Sequence, residues 1–111
     1  MECSLAQKSC APCRGGVPPL QGDSLSAFMG GLASVWSLVD NQRIEKEFHF
    51  KNFREALDFT NTVGEIAETE NHHPDISLGW GKVVISLSTH KIHGLTENDF
   101  ILAAKIDALG A

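Results

Sequence analysis

The sequence predicts an α+β fold: a four-stranded antiparallel sheet with helices packed on one face, in the order α-β-β-α-β-β-α. Three observations lead there. Two pairs of short segments alternate apolar and polar residues, a long amphipathic segment lies between the pairs, and a helix-like stretch stands at each end. A chain of 111 residues fits one domain with one core, and at this size roughly two thirds of the unfolded surface is buried without metal or disulfide staples.

Residues 1–22, MECSLAQKSCAPCRGGVPPLQG, are rich in Gly, Pro and Cys and have no period. They read as an extended N-terminal arm, ordered only where it docks, ahead of a single domain over 23–111. DSLSAFMGGLAS is a short helix capped by Asp23 or Ser24, with Gly30 and Gly31 weakening its last turn. SVWSLVD alternates Trp36 and Leu38 with polar neighbours, as a strand does. After a turn at Asn41-Gln42, Ile44, Lys46, Phe48 and Phe50 alternate with Arg43, Glu45, Glu47 and His49, which completes a hairpin.

The segment 51–70 is the clearest helix. Phe53, Ala56, Leu57, Phe59, Thr60, Val63, Gly64, Ile66 and Ala67 fall on one half of the wheel, and Arg54, Glu55, Asp58, Asn61, Glu65 and Glu68 on the other. An apolar arc of about 180° is wider than the ~100° stripe of a helix packed on one core. Two uses of the excess are open: Phe59 and Ile66 at its edge bury against another subunit, or the helix sinks deeply into its own sheet. DISLGW and KVVISLSTH form a second hairpin turning near Gly79 to Gly81, with Val83, Ile85, Leu87 and Thr89 on one face of its second strand. LTENDFILAAKIDAL is a last helix, with Thr96 as N-cap and Asp99 completing a near capping box.

Nine Lys and Arg against fourteen Asp and Glu give a net charge of −5, with no basic run to bind a phosphate backbone, so direct nucleic-acid binding is not expected. No stretch is long enough to span a membrane, and the N-terminus lacks the pattern of a secretory signal. The three cysteines all lie in the first thirteen residues and make no disulfide framework for the domain, so the expected compartment is the reducing cytosol.

The chemistry-bearing candidates are Glu68, His72, His73, Trp80, His90 and Asp99, with Pro74 fixing the loop after the histidine pair. Adjacent histidines point in different directions in almost any backbone, so both cannot be core fillers. Each residue has a plainer explanation alone. Loop histidines are mostly surface groups, Asp99 suits a helix N-terminus, Trp80 continues the alternation of Ile76 and Leu78, and Glu68 lies on a polar helix face. Zinc ligation by three histidines and a carboxylate is disfavoured, because neighbouring histidines chelate poorly and the i,i+4 spacing is absent. No Ser or Cys stands in a nucleophile elbow. Acid/base chemistry survives best, since imidazole titrates near neutrality, at a reference value of about 6.5, and shares donor and acceptor roles.

Glu68, three residues, His72-His73-Pro74, five residues, Trp80, nine residues, His90, eight residues, Asp99 resembles the signature of the pterin-4a-carbinolamine dehydratases. KEFHFKNFREALDF and LSTHKIHGLTENDFILAAKI resemble that family's strand-to-helix segment and its last strand and helix, so the likeness covers residues 34–109. SCAPCRGGVPPL is similar to the N-terminal extension of a microbial branch.

The resemblance implies dehydration of a 4a-hydroxytetrahydropterin to the quinonoid dihydropterin in tetrahydrobiopterin recycling after aromatic amino acid hydroxylation, with no metal or organic cofactor. By motif position it implies His72 and His90 as the acid/base pair, His73 binding the pterin, Glu68 and Asp99 in support, and Trp80 walling the pocket. It also implies homodimers or homotetramers, and a cytoplasmic location, nuclear as well in a eukaryote. Animal members stabilise the dimer of a homeodomain transcription factor, which leaves a non-enzymatic binding module, with a protein partner in a coactivator-like role, as the alternative. Cys10 and Cys13 form a C-x-x-C without the context of a redox or zinc site, and read as structural or incidental.

Overall fold

The computed structural model describes residues 20, 22–32, 36–89, 92 and 94–109. Along them run α1 (Gly22–Gly30), β1 (Ser37–Val39), β2 (Arg43–His49), α2 (Phe53–Glu70), β3 (Asp75–Leu78), β4 (Lys82–Leu87) and α3 (Glu97–Asp107). The four strands form one sheet in the order β1-β2-β4-β3, antiparallel throughout. Both expected hairpins are present, and β2 joins β4 in the middle with Ile44 opposite Leu87 and Phe48 opposite Val83. Among the described residues no helix is long and apolar enough to cross a membrane.

Period-2 patterning decides which face is covered. Ile44, Phe48, Val83, Ile85 and Leu87 point inward and are buried, while Glu47, His49 and Lys82 on the opposite face are exposed. Against the inner face α2 lays Ala56, Phe59, Val63 and Ala67, and α3 adds Phe100, Leu102, Ala103 and Ile106. Each large apolar side chain buried this way contributes about 1.5–3 kcal/mol, whereas an exposed pair such as Arg43–Glu45 contributes about 0–1 kcal/mol. The apolar layer therefore decides how the helices dock.

Several sequence expectations shift. The first strand is shorter than SVWSLVD: Trp36 precedes it, buried, and its Nε1 donates to both carboxylate oxygens of Asp107 at 3.1 and 3.2 Å. Lys46 sits on the inward face between Ile44 and Phe48, where its ammonium reaches Asp107 at 3.5 Å and lies 4.7 Å from the Phe48 ring centroid. The first turn centres on Asp40 and Asn41, both at positive φ, a geometry that Asp and Asn tolerate better than other side chains. The second turn puts Trp80 at its tip beside Gly81, where a Cβ would come within 2.8 Å of the Phe50 carbonyl oxygen. α1 begins at Gly22, so Asp23 is in its first turn rather than capping it. The strand drawn to His90 ends at Leu87, and beyond it a single bridge joins Thr89 to Gly94.

The arm and its Cys10-Cys13 pair lie outside the described residues apart from Leu20, whose N–H donates to the Leu95 carbonyl at 2.8 Å, and Gly22.

The wide arc of α2 also resolves at one edge. Phe59 is 7% exposed and stacks obliquely on Phe48 and Phe50, at ring centroid distances of 4.8 and 5.0 Å. It belongs to this chain's own core and is not available to another subunit; Ile66 is half-buried against the same core. Phe59→Ala is therefore expected to cost about 3–5 kcal/mol in urea denaturation. A loss below about 1 kcal/mol would place the ring outside the core.

Candidate active site

The sharp end of α2 separates the two histidines. Asn71 adopts the left-handed conformation (φ 53°) and its N–H turns back to the carbonyls of Ala67 and Glu68. The His72 N–H then reaches the Ala67 carbonyl at 3.2 Å. This six-to-one closure caps the last carbonyls and reverses the chain within one residue. His72 leaves the turn facing into the molecule and His73 faces solvent, before Pro74 leads into β3.

Facing inward, His72 meets the first turn of α3. Its Nε2 lies 2.6 Å from Asp99 Oδ1, with His72 9% and Asp99 0% exposed. Oδ2 of the same carboxylate accepts from the Thr89 hydroxyl at 2.8 Å and from the Thr96 backbone N–H at 3.0 Å. The latter bond is one half of the capping box that starts α3. A buried carboxylate with no partner would cost several kcal/mol. Three donors meet this one. Because an ionised carboxylate only accepts, this bond requires a proton on Nε2 of His72 and leaves Nδ1 as the ring nitrogen that Asp99 does not engage. Among the described residues Nδ1 has no hydrogen-bond partner.

On the outside, His73 Nε2 pairs with Glu68 Oε2 one turn back on α2. Both are open to solvent, His73 53% and Glu68 76% exposed. Two neighbouring imidazoles are thus each backed by a carboxylate, one pair sealed and one wet. Such a set can hold protons at two adjacent points, with one pair buried and the other open to solvent.

The structure pairs His72 with Asp99 and His73 with Glu68, with Pro74 following the two histidines in the chain. Trp80 lies apart from them. It is 71% exposed at the β3–β4 turn, at the opposite end of β3 from Pro74, and an extended strand separates its ends by roughly 3.3 Å per residue. It is neither core nor, within one chain, a wall of this site. His90 lies outside the described residues; Thr89, which precedes it, is buried and bonded directly to Asp99. Thr96 meets Asp99 through the capping box the sequence anticipated; Thr89 is the partner that sequence reasoning missed. The signal was a hydroxyl at the end of the inward series Val83, Ile85, Leu87, Thr89, where a buried polar group needs a partner.

Clefts elsewhere leave the histidines aside. One of about 800 Å³ is lined by Leu25, Met29 and Asn41 among others, and another of about 380 Å³ lies between α2 and α3 around Ile66 and Lys105. Among the described residues no group of three or more His, Cys, Asp or Glu is placed to hold a metal ion.

Comparison with known proteins converges on one family. The family model for pterin 4 alpha carbinolamine dehydratase matches residues 18–109. A protein of Rubrobacter xylanophilus, provisionally named a pterin-4-alpha-carbinolamine dehydratase, is 56% identical over 105 residues, covering 95% of this chain and 97% of its own. A crystal structure described as a transcriptional coactivator/pterin dehydratase from Brucella melitensis aligns with a TM-score of 0.76 at 30% identity, over 84% of this chain and 99% of that one. A pterin dehydratase-like protein described as a RuBisCO assembly factor in the alpha-carboxysome shares the fold, with a TM-score of 0.60 at 23% identity over 71% of this chain and 93% of that one. With a family match across almost the whole chain and a relative more than half identical along it, this chain belongs to the pterin-4a-carbinolamine dehydratase family.

Proposed function

We propose that the chain is a 4a-hydroxytetrahydropterin dehydratase acting in tetrahydrobiopterin recycling. The observation that carries this reading is the split histidine pair, each ring backed by its own carboxylate. In the proposed reaction the C4a–O bond breaks as an acid protonates the departing hydroxyl, which leaves as water. A base takes the N5 proton, and the N5–H electron pair becomes the C4a=N5 bond of the quinonoid product. The substrate is already activated, so two positioned proton-transfer groups suffice, and no electron leaves or enters.

His72 and His90 are assigned as the acid/base pair. His72 acts through Nδ1, because Asp99 engages its other nitrogen. His73, more exposed and tethered by Glu68, binds and orients the pterin, with Pro74 fixing the direction in which the pair is presented. Trp80 has no part in this assignment, since its place at the far turn keeps it from the cluster of its own chain. The work is proposed to be cytoplasmic and done by a homodimer or homotetramer.

A second reading is a protein-binding module. It is favoured by the description of the Brucella melitensis relative as a transcriptional coactivator as well as a pterin dehydratase. A module retained for binding alone has no need of paired histidines, so the intact cluster favours the enzyme.

Wild-type protein is expected to accelerate the decay of synthetic 4a-hydroxytetrahydropterin, followed by absorbance. His72→Ala and His90→Ala are expected each to remove on the order of 10²–10⁴ of that acceleration, and Glu68→Gln to act mainly on KM. A folded wild type no faster than buffer would overturn the dehydratase reading in favour of the binding module. In sedimentation equilibrium, species of two or four times the 12.0 kDa chain mass are expected; a monomer at micromolar concentration would remove the oligomer.

A further inference from the structure

Thr89 stands where three parts of the site meet. Its hydroxyl donates to Asp99 Oδ2 at 2.8 Å, and having spent its proton there it accepts from the Thr96 hydroxyl at 2.9 Å. Its backbone closes the bridge beyond β4, with Thr89 N–H donating to the Gly94 carbonyl at 2.7 Å and Ile92 N–H returning to the Thr89 carbonyl at 3.2 Å. His90 is the next residue in the chain. The Thr89 residue is 1% exposed, so its bond to Asp99 forms away from water, where hydrogen bonds polarise one another.

We propose that Thr89 is a positioning residue: its hydroxyl fixes the Asp99 carboxylate, and through it holds His72 with the proton on Nε2 and Nδ1 turned toward substrate. Without that donor, Asp99 keeps two of its three donors, His72 Nε2 at Oδ1 and the Thr96 N–H at Oδ2, and its rotation about the Cβ–Cγ bond is less restricted. His72 then has a less firmly held acceptor at Nε2, and the preference for a proton on that nitrogen weakens. Threonine suits the position on two counts. The β-branched carbon continues the strand packing, and the hydroxyl supplies a donor that Val, the apolar residue of the same shape, lacks. The kinetic part rests on the dehydratase reading of the site; the tautomer part does not.

The test compares wild type with Thr89→Val and Thr89→Ser. Long-range proton–nitrogen correlation spectra of the histidine rings report which nitrogen of His72 carries the proton. In wild type Nε2 is expected to be protonated and Nδ1 bare. Thr89→Val is expected to keep the fold, shift the His72 nitrogens toward a tautomer mixture, and lower kcat by about 10-fold with KM changed less than about 2-fold. Thr89→Ser is expected to restore both. An unchanged His72 spectrum in folded Thr89→Val, or a serine variant as impaired as the valine one, would overturn the proposal. If wild type proves inactive, the dehydratase reading fails and the spectra alone decide the inference. If Thr89→Val unfolds, the serine variant and its spectrum decide it.

Discussion

The hydrogen bond between His72 and Asp99 joins the C-terminal end of α2 to the first turn of α3, and much of the molecule is arranged around it. Asp99 is fully buried beneath elements that are otherwise packed by Phe, Leu, Ile and Val. In such surroundings one carboxylate missing its donors would cost more than any single apolar contact contributes. The capping box of α3, the bridge beyond β4 and the reversal at Asn71 each deliver one of its donors. The same bonds that make the carboxylate tolerable in the core give His72 a fixed orientation. Stability and chemistry here are demands on one group.

The two histidine–carboxylate pairs differ in the property that decides what each can do. Removed from water, the His72–Asp99 pair has one geometry and one sense of proton donation. At the surface, the His73–Glu68 pair is screened by solvent and free to adjust. A site that must both orient a planar ring and move protons at defined atoms gains from having one of each. Adjacent side chains diverge in most backbones, and the reversal at Asn71 aims this divergence, turning His72 toward Asp99 while His73 stays beside Glu68 at the surface.

The fold class was legible because the periods were clean. Alternation over Ile44 to Phe48 and Val83 to Thr89 marked the buried face of the sheet, and a repeat of three and four residues from Ala56 to Ala67 marked the helix that covers it. Phe59 was ambiguous for a physical reason: a wheel gives the direction of a side chain, not what lies opposite, and the Phe48 and Phe50 rings that receive it come from another element. The histidine cluster was legible through motif spacing, since Glu68, His72 and His73 flank one helix end. Trp80 misled because spacing along a chain says nothing of whether a strand carries a residue toward a site or away from it. Thr89 was passed over because threonine is at home in a strand, and only the three-dimensional meeting with Asp99 gives its hydroxyl a task.

On the proposed dehydratase reading, pterin binds where α2 ends, against the His72–Asp99 and His73–Glu68 pairs. The most direct measurement is backbone and histidine-ring NMR of the wild-type protein titrated with 7,8-dihydrobiopterin, a dihydropterin that lacks the 4a-hydroxyl to be lost. Perturbations concentrated at Glu68, His72, His73, Thr89 and His90 are predicted. Perturbations gathered instead around Leu25, Met29 and Asn41 in the larger cleft, or none at millimolar ligand, would contradict it.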